Sequence, residues 1–316
     1  MIRIENLTKY YGDFRVVDNI SFTVNDGEIL GFLGPNGAGK TTTLRMLTCF
    51  MPPSEGRIMF NDLDVNEHSM EIRRMIGYLP ENAPLYDYMS IQEYLDYICD
   101  LRDITGQKRN ERMEAMIETC GLSKMIGKDI GELSKGYRQR VGIAQAMIHE
   151  PEILILDEPT VGLDPNQIVE IRNLIKEVGQ KKTVILSTHI LSEVESTCNR
   201  VVIISSGEIV ADGTTDSLQE KMAGQNSLTL EIKGNAAAMA DVYSQIKGVE
   251  KIHSVTSSGG NTACLEIGIH RGFDIRDEVF RATVEKGWVI YEMRLNKTNL
   301  EEVFRQLTLT QGAVAQ

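Results

Sequence analysis

The chain has 316 residues, 42% of them hydrophobic and 25% charged, which is enough apolar material for one large domain plus a smaller one. Its formal net charge of -12 argues against nucleic acid as the main partner, because an acidic body repels phosphate backbones and anionic lipid surfaces alike. Five scattered cysteines without metal-ligand spacing (Cys49, Cys99, Cys120, Cys198 and Cys264), a strand-like start at Met1-Ile2-Arg3-Ile4, and no apolar run of membrane-spanning length predict a cytoplasmic protein whose membrane role, if any, comes through a partner.

In chain order, residues 2–34 read as strands. Val16 to Val24 is rich in apolar and β-branched residues, and Asn25-Asp26-Gly27 supplies a tight turn. A short apolar run, Glu28 to Leu33, then enters a glycine-rich loop, and the helix after it carries Leu44, Met46 and Leu47. Residues 90–150 read as helical. Ser90 and Glu93 form a capping box, and Ile91, Tyr94, Leu95, Ile98 and Leu101 form one apolar face behind it, with Gly121 closing the next helix. From Glu152 short apolar strands (152–157, 182–187, 200–205) alternate with helices (about 166–178 and 190–198), which predicts a buried parallel sheet. Ser205-Ser206-Gly207 followed by Glu208 to Ala211 predicts a closing hairpin.

Composition changes near Ala223-Gly224-Gln225-Asn226. Beyond it the pattern predicts strand 228–233, helix 236–246, strands 249–256 and 262–269, helix 274–286, strand 288–293 and helix 299–307. Thr298 and Glu301 would cap the last helix. That order suggests a small split β-α-β unit. The expected domains are therefore 1–222, with a helical subdomain at about 90–150, and 227–308, followed by a frayed tail at 309–316.

Gly34-Pro35-Asn36-Gly37-Ala38-Gly39-Lys40-Thr41 fits the phosphate-binding pattern Gly-x4-Gly-Lys-Ser/Thr. The glycines let successive backbone N–H groups turn inward around phosphates, and the following helix adds its positive end. Lys40 would bridge the β- and γ-phosphates of a nucleotide, and the Thr41 hydroxyl would ligate Mg2+. A random chain of this length matches the pattern roughly once in a hundred, so the predicted strand before and helix after it carry weight. A second element, Ile153-Leu154-Ile155-Leu156-Asp157-Glu158, is a buried strand that ends in two acids. Such acids are costly unless they meet a cation or water at the sheet edge, where ligands bind in open parallel sheets. Asp157 would hold magnesium and Glu158 would polarise the attacking water.

Together with Leu133-Ser134-Lys135-Gly136-Tyr137, Asp157-Glu158-Pro159-Thr160, Gly162-Leu163-Asp164 and Ser187-Thr188-His189, the phosphate loop occurs in the order that marks ATP-binding cassette (ABC) ATPases. Over about residues 1–220 the chain resembles the separate ATPase subunits of ABC-2-type exporters. The resemblance implies an α/β fold: a P-loop NTPase ABC core with an antiparallel β layer and a helical subdomain, plus a small α+β C-terminal domain.

It also implies an ATP contact made by Tyr11, stacked on adenine, and by Gly34, Pro35, Asn36, Gly37, Ala38, Gly39, Lys40, Thr41 and Thr42. Glu158, Lys40 and His189 would be catalytic, with His189 on the γ-phosphate. Thr41, Asp157 and Glu81 would ligate magnesium. Ser134 and Gly136 of the signature, with Asp164, would contact the nucleotide of a second copy, so that two chains in head-to-tail register make two complete sites. Ser134 also reads as the cap of the helix running to Met147. The other implied partner is an integral membrane permease subunit, received near Leu85-Tyr86-Asp87-Tyr88-Met89, with the chain peripheral on the cytoplasmic face of the membrane.

Glu81 stands where the family usually has glutamine, and Lys135 and Tyr137 where glycine and glutamine are commonest. Rival readings are an ABC-type ATPase of DNA maintenance or translation, and a module that uses ATP only as a switch. The first usually carries a coiled-coil insertion, zinc cysteines or a second cassette, and the second does not require the Asp157-Glu158 pair.

Overall fold

The structure, a computed structural model, describes residues 1–222, 226–233, 236–258, 262–270 and 272–296. The chain divides into two compact units, the first ending at Thr214 and the second starting at Thr215. The helix Thr215–Met222, grouped by sequence with the first domain, falls in the second unit. The predicted helix 299–307, its Thr298/Glu301 cap and the tail at 309–316 lie outside the described residues.

The first unit runs β1 (Ile2–Tyr11), β2 (Phe14–Val24), β3 (Ile29–Leu33), α1 (Lys40–Leu47), β4 (Glu55–Phe60), β5 (Leu63–Asp64), α2 (Ser69–Met75), β6 (Ile76–Leu79), α3 (Ile91–Leu101) and α4 (Gly106–Thr119). After a 3-10 turn at Ile130–Glu132 come α5 (Lys135–Met147), β7 (Ile153–Asp157), α6 (Pro165–Gly179), β8 (Thr183–Thr188), α7 (Leu191–Thr197), β9 (Arg200–Ser205) and β10 (Glu208–Gly213).

Six strands form the central sheet in the order β10-β9-β3-β8-β7-β6, and its neighbours from β9 to β6 are parallel. β10 closes the edge antiparallel to β9. Ser205 pairs with Glu208 there, and both residues of the connecting pair, Ser206 and Gly207, have positive φ, as a two-residue hairpin turn requires. A second, antiparallel sheet has the order β2-β1-β4-β5.

The parallel strands read as unbroken apolar runs because both of their faces are covered. Alternation along each strand divides the side chains between two cores. Leu154, Leu156, Val184 and Leu186 pack with the helical segment through Tyr94, Leu95 and Val141. Ile153, Ile155, Ile185 and Phe32 pack with Phe22, Ile58 and Phe60 of the antiparallel layer. Each buried Leu, Ile or Phe contributes about 1.5–3 kcal/mol, so the sheet edge that carries the site is rigidly supported.

The Ser90–Glu93 capping box forms as its residue types require: the Ser90 hydroxyl accepts the Glu93 N–H, and the Glu93 carboxylate accepts the Ser90 N–H at 2.8 Å. Leu101 departs from the predicted apolar face and is 61% exposed. The buried stripe of α3 leans towards Cys99, and Ile104 fills the position beyond the helix end.

β6 lies close against α5. A Cβ on Gly77 would stand 2.1 Å from the Ala146 carbonyl oxygen, a backbone atom that has nowhere to go. Gly77→Ala is therefore expected to cost about 3 kcal/mol, at the upper end of overpacking effects. A denaturant melt should show a lowered midpoint at an unchanged slope.

The second unit contains α8 (Thr215–Met222), β11 (Asn226–Lys233), α9 (Ala236–Tyr243), β12 (Val249–Ser258), β13 (Thr262–Ile269), α10 (Arg276–Glu285) and β14 (Val289–Asn296). Its sheet order is β12-β13-β11-β14 with antiparallel neighbours throughout, so β13 sits between the two strands joined through α9, the split arrangement expected from the element order. Leu228, Leu230 and Ile232 of β11 are buried with Leu265 and Ile267, under Met239 and Tyr243 of α9 and Val279 of α10. The Tyr243 hydroxyl meets the Thr283 hydroxyl at 2.7 Å, and the ring packs edge-on to Trp288.

Candidate functional site

The parallel strands β3, β7 and β8 end side by side, and the loops that follow them line a cleft of about 380 Å³. Asn36, Gly37 and Gly39 come from the loop after β3, Lys40, Thr41 and Thr42 from the start of α1, Glu158 and Val161 from the loop after β7, and His189 from the loop after β8. Glu81, past the end of β6, and Val16 of β2 complete the wall.

The loop after β3 has its shape because its glycines permit it. Gly39 caps α1 at φ 105, in the left-handed region, and a Cβ on Gly34 would stand 2.4 Å from the Ile204 carbonyl oxygen. No side chain caps α1, so the N–H groups of Lys40, Thr41 and Thr42 have no intrahelical acceptor, the arrangement by which helix starts receive anions. The Ala38 N–H is already used, donating to the Pro35 carbonyl at 3.2 Å.

Lys40 is buried and its ammonium folds back into the loop. It donates to the carbonyls of Gly34 at 2.7 Å and Pro35 at 3.2 Å, and lies 3.2 Å from Glu158 Oε1. Glu158 Oε1 makes no hydrogen bond of its own, so this contact is one of charge rather than of aligned donor and acceptor. His189 Nδ1 is 2.9 Å from Glu158 Oε2. A carboxylate only accepts, so Nδ1 carries the proton in this pair, leaving Nε2 as the ring's other nitrogen.

Glu158 has φ 48, a left-handed conformation that side chains other than glycine rarely adopt. Its N–H donates to the Ser187 carbonyl at 3.1 Å and the Ser187 hydroxyl at 3.2 Å, and its carbonyl accepts from Val161 at 3.2 Å. Such held strain is a feature of functional positions. Asp157, fully buried and paired in register with Ser187, accepts the Ser187 hydroxyl through Oδ1, while Oδ2 has no partner. Burial, and then the Asp157 charge, push the Tyr78 phenol up to about 12. It stays protonated beside the acid.

An orphaned buried carboxylate oxygen, the Thr41 hydroxyl at the helix start and the exposed Glu81 at the rim are hard oxygen donors, the chemistry that suits magnesium. Among the described residues no cluster of three or more His, Cys, Asp or Glu side chains forms a metal cage. Such a donor set matches a cation that brings most of its ligands as water and phosphate.

Other predicted residues lie elsewhere. Tyr11 ends β1 with its ring exposed and its hydroxyl on Met51 Sδ at 3.2 Å, and it does not line the cleft. Ser134 sits at the N-cap of α5 as read from sequence, but its hydroxyl makes no capping bond. Gly136 packs on Gln167, and the Lys135 ammonium lies over Gly162, where a Cβ would stand 2.2 Å from it. Asp164 caps α6, accepting from the Asn166 and Gln167 N–H groups at 3.0 Å each. The signature therefore packs on the Gly162–Asp164 loop of its own chain, and Ser134, Gly136 and Asp164 are all absent from the cleft wall. Val16, Val161 and the Ser187 bridge were not predicted. Ser187 was visible only as the first residue of Ser187-Thr188-His189.

The family described as ABC transporter matches residues 17–161, and a shorter match, to an AAA domain described as putative AbiEii toxin, covers residues 129–195. An uncharacterized ABC transporter ATP-binding protein of Bacillus subtilis, YxlF, is 34% identical over 96% of this chain and 98% of its own length. The chain belongs to the ABC transporter ATP-binding proteins. The bacitracin transport ATP-binding protein BcrA of Bacillus licheniformis is 33% identical over 97% of each chain. The dimeric post-hydrolysis structure of the ATP-binding cassette MJ0796, bound to ADP and phosphate, superposes with a TM-score of 0.62 at 25% identity over 68% of this chain and 98% of that one. As a member of this family the chain is an ATPase with the P-loop NTPase fold, as the sequence resemblance predicted. Among its described residues no helix is long and apolar enough to cross a membrane.

Proposed function

We propose that two copies of this ABC ATPase close head-to-tail around two ATP molecules with magnesium and so drive an integral membrane permease, an exporter, from the cytoplasmic face of the membrane. The observation that carries this reading is the separation of the two half-sites. The phosphate loop with Glu158 and His189 forms one cleft, whereas Ser134, exposed and with its hydroxyl uncommitted to its own helix, lies outside it. One chain holds both halves and assembles neither into a whole.

In this reading the free N–H groups of α1 and the Lys40 ammonium receive the β- and γ-phosphates, and the Gly34 and Pro35 carbonyls release Lys40 as they do so. Thr41, Asp157 and Glu81 would hold a magnesium ion, which would supply positive charge to offset that of the phosphates. Freed from Lys40, the Glu158 carboxylate orients a water and takes its proton at an oxygen facing the γ-phosphate. His189, held at Nδ1 by Glu158, offers Nε2 to the γ-phosphate, which it satisfies as a donor only when the ring is protonated. Tyr11 stacks on the base. From the partner, the signature helix brings Ser134 and Gly136 to the γ-phosphate, and the loop at Asp164 joins the two sites.

The permease surface is the exposed aromatic step after β6. Tyr88 is 75% exposed and stacks on Tyr86, which is anchored on buried Tyr94 and on Tyr97. The name of BcrA, bacitracin transport, supports an antibiotic as cargo. No residue of the second unit is assigned to catalysis.

Mixing tests the shared site. Lys40→Ala and Ser134→Arg chains are each expected to be inactive, and an equimolar mixture is expected to regain activity, because one of the two sites in the mixed dimer is then intact. A mixture as inactive as its components would mean that each chain works alone.

A further inference from the structure

Glu193, on α7, is 1% exposed, and among the described residues no cation pairs with it. Its two carboxylate oxygens are taken by two buried hydroxyls, one from the loop after β7 and one from the last residue of β8. Thr160, in the loop that carries Glu158, donates to Oε1, and Thr188, next to His189, donates to Oε2 at 2.7 Å. The Ile190 N–H in turn donates to the Thr188 hydroxyl at 3.0 Å, so that hydroxyl passes its own proton to Glu193. A carboxylate buried without a cation is costly, and an apolar side chain would fill the space at lower cost. What the carboxylate adds is a fixed cross-link between the loop after β7 and the end of β8, next to His189.

We propose that Glu193 is a positioning residue for ATP hydrolysis. It ties the Glu158 loop to the end of β8, next to His189, and keeps Glu158 Oε2 and His189 Nδ1 in their 2.9 Å register when phosphate enters. It touches no reacting atom and does not line the cleft. The Thr160 it holds also starts the turn to Gly162 and Asp164, since the Leu163 N–H donates to the Thr160 carbonyl at 3.2 Å. Glu193 therefore links the segment proposed to meet the second copy with the segment proposed to sense the γ-phosphate. The inference rests on the proposed roles of Glu158 and His189.

The test compares Glu193→Ala, Glu193→Gln and Thr160→Val for kcat, KM, affinity for a fluorescent ATP analogue and melting temperature. Glu193→Ala is expected to lower kcat about 10–100-fold, the scale of a misplaced reacting geometry, with analogue affinity unchanged within about twofold. Glutamine still accepts from one hydroxyl and donates to the other, so Glu193→Gln is expected to restore kcat to within about fivefold of wild type. Adding Glu193→Ala to His189→Ala is expected to cost almost nothing more, because residues that act as one unit are not additive.

An unchanged kcat in Glu193→Ala, an additive loss with His189→Ala, or a Gln variant as slow as the Ala variant would each overturn the proposal. If Glu193→Ala does not fold, Glu193→Gln and the shape-preserving Thr160→Val decide. Thr160→Val must then lower kcat without changing analogue affinity. Wild-type kcat in both His189→Ala and Glu158→Gln would instead remove the site assignment itself, and the proposal with it.

Discussion

Glu158→Gln is expected to lower kcat by about 10²–10⁴-fold, the usual worth of a positioned general base, while leaving ATP bound. Glutamine keeps the shape of the side chain and its place on the strained backbone, held by Ser187, but it cannot take a proton from water. With hydrolysis blocked, the closed pair should accumulate. Light scattering with and without magnesium-ATP reads this directly, as a monomer that becomes a dimer only with nucleotide. A variant that binds ATP and stays monomeric would mean that a membrane subunit holds the halves together. A dimer without ATP would move dimerisation to the second unit. A Glu158→Gln chain that hydrolyses ATP at the wild-type rate would remove Glu158 from the chemistry.

Lys40→Ala is expected to act on binding and on stability at once. The ammonium makes charged hydrogen bonds worth about 1.5–3 kcal/mol each, so ATP affinity should fall roughly 10–150-fold on the loss of one phosphate contact. In the structure Lys40 and Glu158 have side chains only 6% and 7% exposed, and removing one of them leaves a buried charge. That loss should cost about 3 kcal/mol, the lower part of the range for a broken buried pair. His189, at 38% side-chain exposure, is too wet to replace the lysine. The double variant Lys40→Ala/Glu158→Gln should recover most of the stability and none of the activity. Equal denaturant midpoints for the single and double variants would show that the ion pair is not the source of the loss.

Both expectations depend on contacts that join distant parts of the chain, and sequence reading recovered the residues better than the contacts. The phosphate loop was legible because its chemistry is contiguous: glycines, lysine and threonine act through backbone geometry they set themselves. The Ser90–Glu93 box and the Ser206-Gly207 turn were legible for the same reason. The sheet was legible because a strand buried on both faces must be apolar throughout. β4, β5 and α2 were not marked, being too short or too mixed for periodicity to register. Leu101 was placed on the wrong face because the tilt of a buried stripe is decided by the neighbour, not by the helix that carries it.

The sequence by itself determined the fold class, the family and the chemical types at the site, since each of these is written in residues a few positions apart whose spacing dictates local backbone. Tertiary structure alone decided the rest. It set Glu158 between Lys40 and His189, left Asp157 Oδ2 without a partner, withheld the Ser134 hydroxyl from its helix, and placed Glu193 across the loop after β7 and the end of β8. The physical reason is that hydrogen bonds and ion pairs between loops depend on how strand ends converge, and that convergence is settled by sheet order and core packing rather than by any local run of residues.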